Sequence, residues 1–201
     1  MTVAALVLYA VALVVLFGVR SVVQRRRTGS AGFRGISGTP AEAGWWGGAL
    51  FVVAVVLGPA GPLLAVAGVV DAAPPAGVQA VGLALALAGF AATLAAQTGM
   101  GASWRIGVDP AERTRLVTAG VFAHVRNPVF TAMAAAQLCV VLVVPTWISV
   151  LALLALAAAV QLQVRAVEEP YLRSVHGAEY AAYATRAGRF LPGLGRLDGV
   201  S

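Results

Sequence analysis

The sequence predicts an all-α integral membrane protein. Five transmembrane helices are expected, the last two joined as a tight hairpin and followed by a cytosolic C-terminal helical cap. Hydrophobic residues make up 60% of the chain and charged residues 11%, with a mean hydropathy of +0.87; that composition excludes an ordinary soluble domain. Apolar runs of about 20 residues, enough to cross roughly 30 Å of hydrocarbon, recur along the chain. The arginines gather in alternate loops between those runs, as the positive-inside rule requires.

The first span covers residues 3–23. No basic residue precedes it, no small-residue cleavage site follows, and arginines come next, so it reads as a retained span and not a removed signal peptide. The second covers residues 45–70 and is interrupted by Gly58-Pro59-Ala60-Gly61-Pro62. Splitting it there leaves two pieces too short to cross, so one kinked span is expected. The third covers residues 76–98, with Gly82 and Gly89 spaced for close helix contact. Residues 128–144 and 146–164 form the fourth and fifth, and Pro145-Thr146 leaves only a tight turn between them. Residues 24–44, rich in Gly, Ser, Thr and Arg, read as a flexible cytosolic loop. The whole chain, 1–201, is then a single unit, with three spans in residues 1–98 and a polar half in residues 103–192.

Arg20, Arg25, Arg26, Arg27 and Arg34 follow span one; Arg105, Arg113, Arg115 and Arg126 follow span three; Arg165, Arg173, Arg186, Arg189 and Arg196 follow span five. The loops after spans two and four carry Asp71 and no basic residue. The expected orientation in the plasma (inner) membrane is therefore N-terminus outside and C-terminus cytosolic. Because these arginines flank spans, the high pI does not indicate nucleic acid. Cys139 is the only cysteine, which excludes an intrachain disulfide, and His124 and His176 stand apart from any ligand-type residue at metal spacing. No metal site is expected. No phosphate loop or nucleophile elbow is present, and spans one to three carry no buried acid that would mark an ion-coupled transporter.

Polar residues concentrate between Leu116 and Pro192. Asn127-Pro128 is a helix start: Asn favours the N-cap, and Pro at the first position loses only an N–H that had no partner. The N–H groups of that first turn suit an anion such as a carboxylate. At the far end of span five, Arg165 lies one turn from Glu168, and Glu169 follows. One arginine cannot neutralise both carboxylates, which leaves Glu168 or Glu169 for a cationic partner. After Pro170, one or two short amphipathic helices are expected, with Tyr180 and Tyr183 on one side and Arg186 and Arg189 on a neighbouring one. The plain alternatives are an ordinary capped helix with Arg126 snorkelling, a solvated helix end, and an interfacial helix with an aromatic belt.

The ordered run LVTAGVFAHVRNPVF, helical hairpin, Glu168-Glu169, GAEYAAY and RFLP resembles the isoprenylcysteine carboxyl methyltransferase family, part of a wider group that includes phospholipid methyltransferases. The resemblance covers roughly residues 103–192. It implies a site for S-adenosyl-L-methionine at the cytosolic ends of spans four and five, closed by the C-terminal segment. Carried over by position, Thr114, Arg115, Leu116, Val117 and Phe122 would contact that cofactor, as would Arg126, Asn127, Pro128, Val129 and Phe130. Glu168 and Glu169 would meet its polar end, and Glu168 would act in catalysis with Arg165, which would face the acceptor. Tyr180, Tyr183 and Arg189 would complete the pocket. The family's His-Pro-x-Tyr stands here as Asn127-Pro128-Val129-Phe130, so a titratable ring and a hydroxyl are both replaced.

A water-soluble donor and a lipophilic acceptor must meet where the two phases meet, which suits this placement. The acceptor is expected to enter from the bilayer, and an ionised carboxylate acceptor would need no general base. A membrane sterol-type reductase using NADPH and a non-catalytic membrane interaction protein are the alternatives; VRNP and RFLPGLGRL favour the methyltransferase. Small-residue faces serve contacts within and between chains equally, so oligomeric state is not readable.

Overall fold

The computed structural model of the chain describes residues 1–32, 35–36, 38–72, 74–104 and 115–197. The first rod runs from α1 (Thr2–Leu13) through a π turn (Val14–Val19) into α2 (Arg20–Thr28), and ends at Gly29 in the left-handed conformation. The helix thus extends past the expected end of span one, and Gln24 is buried instead of opening a loop.

The second span is one helix, α3 (Ala43–Val66), with Pro59 and Pro62 inside it. Each proline removes a helical N–H, and the residues before them, Gly58 and Gly61, receive the Tyr9 and Ser149 hydroxyls at close range. Next come α4 (Ala76–Gly99), α5 (Pro128–Val143) and α6 (Trp147–Leu162). Pro145 stops α5, and the Thr146 side chain accepts from the Ser149 N–H at 3.1 Å to start α6. The expected hairpin follows from those two adjacent residues.

α3 lies along α6, and α4 along α5. The two glycines expected at a close contact are there. A Cβ at Gly82 would stand 2.8 Å from Val143 Cγ2, and one at Gly89 2.8 Å from Ala136 Cβ. Between the rods, the Tyr9 hydroxyl donates to Gln137 Oε1 at 2.9 Å, a buried polar tie of the kind that joins membrane helices.

Among the described residues, four helices are long and apolar enough to cross a membrane: Thr2–Thr28, Ala43–Val66, Ala76–Gly99 and the rod Trp147–Ala184. The fifth, α5, has 16 residues and measures about 24 Å at 1.5 Å per residue. It is short because Asn127-Pro128 fixes its start and Pro145 its end.

Pro170 does not end the last rod. α6 passes through a second π turn (Gln163–Glu168) directly into α7 (Glu169–Ala184), with Pro170 just after the junction. Gly177, at φ 48°, breaks α7 into two helical pieces, in keeping with the expected one or two short helices.

Candidate functional site

A cleft opens between the start of α5 and the π turn after α6. Phe122, Arg126, Asn127, Pro128, Val129, Phe130 and Glu168 all line it. Those seven, expected from sequence at one site, are brought together from segments about forty residues apart. Asn127 and Glu168 face the same hollow. Phe17, Phe51, Val52, Met133, Ala159 and Val160 give the cleft an apolar wall, and Gly44, Gly47 and Gly48 of α3 leave room along it.

The π turn decides which carboxylate enters. Its hydrogen bonds join residues five apart, so Gln163 and Glu168 fall on one face; both line the cleft, with Val167 between them. In an α-helix, at about 100° per residue, five residues would rotate Glu168 about 140° away from Gln163. The next residue, Glu169, turns the other way and is buried.

Glu169 is taken by two arginines. Arg126 Nη2 donates to Oε1 at 2.9 Å, and Arg189 donates from Nε to Oε1 at 2.8 Å and from Nη2 to Oε2 at 3.0 Å. Burial alone would raise the Glu169 carboxyl, but the hydrogen bonds and charges of Arg189 and Arg126 outweigh it and hold the group below the usual carboxylate range. The same contact raises the Arg189 guanidinium. The cation expected for the acidic pair is thus, for Glu169, supplied by the chain itself.

Arg126 does not snorkel. It is 7% exposed, and its Nη1 donates to the carbonyls of Ala184 and Ala187 at 3.0 and 2.7 Å, while Nη2 also reaches Gly195. It ties a C-terminal strap, residues 187–197, to the start of α5. Main-chain bonds complete the tie: Arg126 N–H to Gly188, Asn127 N–H to Arg189 and Gly188 N–H to His124. Gly188 has no room for a Cβ, which would run into the Leu191 carbonyl.

Asn127 stands at the N-cap position, yet its side chain makes no cap bond. Its Nδ2 donates instead to the Arg189 carbonyl at 3.0 Å. The first-turn N–H groups of Val129 and Phe130 are left without a side-chain cap, beside the cleft. Thr131 fastens the next residue of the strap, donating to the Phe190 carbonyl at 2.7 Å.

The remaining expected site residues lie outside the cleft lining. Tyr180 and Tyr183 are buried against each other and so form no exposed belt; the Tyr183 hydroxyl donates to the Phe122 carbonyl at 2.7 Å and steadies that ring from behind. Leu116 packs on the same cluster. Val117 is half-buried and Arg115 is exposed, with its carbonyl accepting from Ser103. Arg165 is exposed and donates to Gln161 at 2.7 Å. Thr114 lies outside the described residues. Gln97, Met100, Trp104 and Gln163 line the cleft without having been singled out in the sequence; Gln97 and Gln163, amides at the ends of apolar helices, were the available signal. Among the described residues, no group of three or more His, Cys, Asp or Glu is placed to hold a metal.

Comparison with known families bears on this half of the molecule. A family model described as phospholipid methyltransferase matches residues 78–179, half of the chain. The chain belongs to the phospholipid methyltransferase family. The match runs from α4 through most of α7, and so includes the start of α5 and the π turn that form the cleft. Membership indicates a membrane methyltransferase, within the group that the sequence resembles. No curated protein and no solved structure matches the chain.

Proposed function

We propose that this phospholipid methyltransferase family member moves a methyl group from S-adenosyl-L-methionine to a lipophilic acceptor, of the isoprenoid or prenyl-type carboxylate class. The observation that carries the reading is that Asn127, Phe130 and Glu168 line one cleft with a largely apolar wall.

The residues fit the donor's chemistry. Glu168 offers a carboxylate to its positive groups, the uncapped first turn of α5 offers N–H donors to its carboxylate, and Phe122 and Phe130 offer flat apolar faces to its adenine. When bound, the donor supplies a methyl group on a positively charged sulfur. The chain's part is to hold the two reactants in line and to exclude water.

Arg126 and Glu168 are the only ionisable side chains lining the cleft among the described residues. An acceptor already ionised at pH 7 suits such a site, since no base is required. Arg165, exposed one turn before Glu168, is read as meeting the acceptor outside the cleft. We place the cleft at the cytosolic edge of the plasma membrane, with five spans and the N-terminus outside, because the arginine-bearing loops lie at that end. The family match does not favour the reductase reading.

Incubating purified protein in lipid nanodiscs with methyl-labelled S-adenosyl-L-methionine and membrane lipid extract tests the reading. Label passing into the organic phase supports it; retention of all label in the water-soluble donor, with folded protein, contradicts it.

A further inference from the structure

A second polar group stands at the end of the first rod. Arg20, after nineteen residues without a charge, would ordinarily extend toward headgroups. Here it is 4% exposed. Its Nη2 donates to the Gln97 carbonyl at 3.1 Å, and its guanidinium lies 4.9 Å from the centre of the Trp104 ring. Its Nε has no partner, and among the described residues no carboxylate pairs with it. One turn on, buried Gln24 donates to the Ala102 carbonyl at 2.8 Å and leaves its own Oε1 without a partner.

Gln97 and Trp104 both line the cleft, and Gln97 Oε1, buried, is unpartnered as well. Three unsatisfied polar atoms at one place depart from the rule that buried polar groups are hydrogen-bonded. A buried guanidinium with no counterion among the described residues is more costly still. An anion entering the cleft along this wall would relieve the guanidinium; the two amide oxygens, being acceptors, are relieved only by a donor such as water. The apolar side chains of Phe17 and Phe51, edge to face in the same cleft, would then receive a hydrocarbon chain attached to the anion.

We propose that the Arg20–Gln97–Trp104 wall is the subsite for an anionic headgroup, carboxylate or phosphate, on the lipophilic acceptor. It rests on the methyltransferase reading only in calling this ligand the acceptor. Arg20 supplies the opposing charge, and Gln97 and Trp104 supply the contact surface.

Calorimetric binding of farnesoic acid, its methyl ester and farnesyl phosphate to the detergent-purified protein tests this, with S-adenosylhomocysteine titrated separately. At least one anion should bind about tenfold more tightly than the ester, the size expected for a charge-assisted hydrogen bond. Preference for the acid alone assigns a carboxylate, and preference for both assigns charge alone. Arg20→Gln should abolish the preference while S-adenosylhomocysteine affinity stays at the wild-type value; Arg20→Lys should restore part of it. If Arg20→Gln does not fold, Gln97→Glu, which sets a carboxylate in the cleft lining at the residue whose carbonyl Arg20 bonds, should abolish the preference instead. Equal binding of acid, phosphate and ester by the wild type, as expected if water alone fills this wall, overturns the proposal, as does a preference that survives these variants. S-adenosylhomocysteine binding without charge preference removes the subsite alone, whereas charge preference without S-adenosylhomocysteine binding removes the donor reading alone.

Discussion

Arg126 Nη2 lies 2.9 Å from Glu169 Oε1, with both side chains buried. The contact joins the start of α5 to the start of α7, and Arg189 adds the C-terminal strap to the same carboxylate. Three segments distant in sequence are held by one acidic residue, the neighbour of Glu168 in the cleft lining.

Glu169→Ala should therefore destabilise the protein strongly. Removing one partner leaves a buried guanidinium uncompensated, which costs about 3–5 kcal/mol. Thermal or denaturant unfolding of the variant in detergent measures it. A change under about 1 kcal/mol, typical of an exposed pair, would mean that the cluster is not buried in the working protein.

The same carboxylate gives an acid-dependent stability. Its pKa is lowered in the folded state, so its contribution is fully present above the unfolded value of about 4.3. That contribution is lost as pH falls through the lower folded value. Melting temperature should be flat in this respect from neutral pH to about 5 and fall below it. Glu169→Gln, measured alongside, should show a shallower fall in the acid range.

Asn127→Asp tests the strap contact. Ionised Asp has no N–H for the Arg189 carbonyl, and it sets a negative charge at the first turn of α5, where the donor's carboxylate is proposed to sit. S-adenosylhomocysteine affinity should drop about tenfold or more. Asn127→His, which keeps a ring N–H donor, should lose less. Titration of both variants decides it; equal affinities for Asp and His would detach Asn127 from the donor site.

Glu168→Ala should lose S-adenosylhomocysteine affinity by about tenfold or more while remaining inserted and folded. Glu169→Ala, if it folds, should lose stability first. Wild-type affinity in Glu168→Ala would remove that residue from the site.

Much of the fold was legible because apolar length and helix punctuation are local signals. The hairpin at Pro145-Thr146, the start of α5 at Asn127-Pro128 and the close contacts at Gly82 and Gly89 need no knowledge of neighbours. The π turns at Val14–Val19 and Gln163–Glu168 were not legible, since a π turn uses the same residue types as an α-helix. Without the second one, the opposite directions of Glu168 and Glu169 are hidden. Arg20 read as a flanking charge because its neighbours in sequence are apolar; Gln97 and Trp104, which hold it, are distant. Asn127 read as a cap because its competitor, the Arg189 carbonyl, arrives only when the strap folds back.

Calorimetric titration of the folded wild-type protein with S-adenosylhomocysteine tests the central claim most directly. A single saturable site, weakened in Glu168→Ala, is the predicted result. No binding heat at any temperature, from a sample shown to be folded, would contradict a donor site between Asn127 and Glu168.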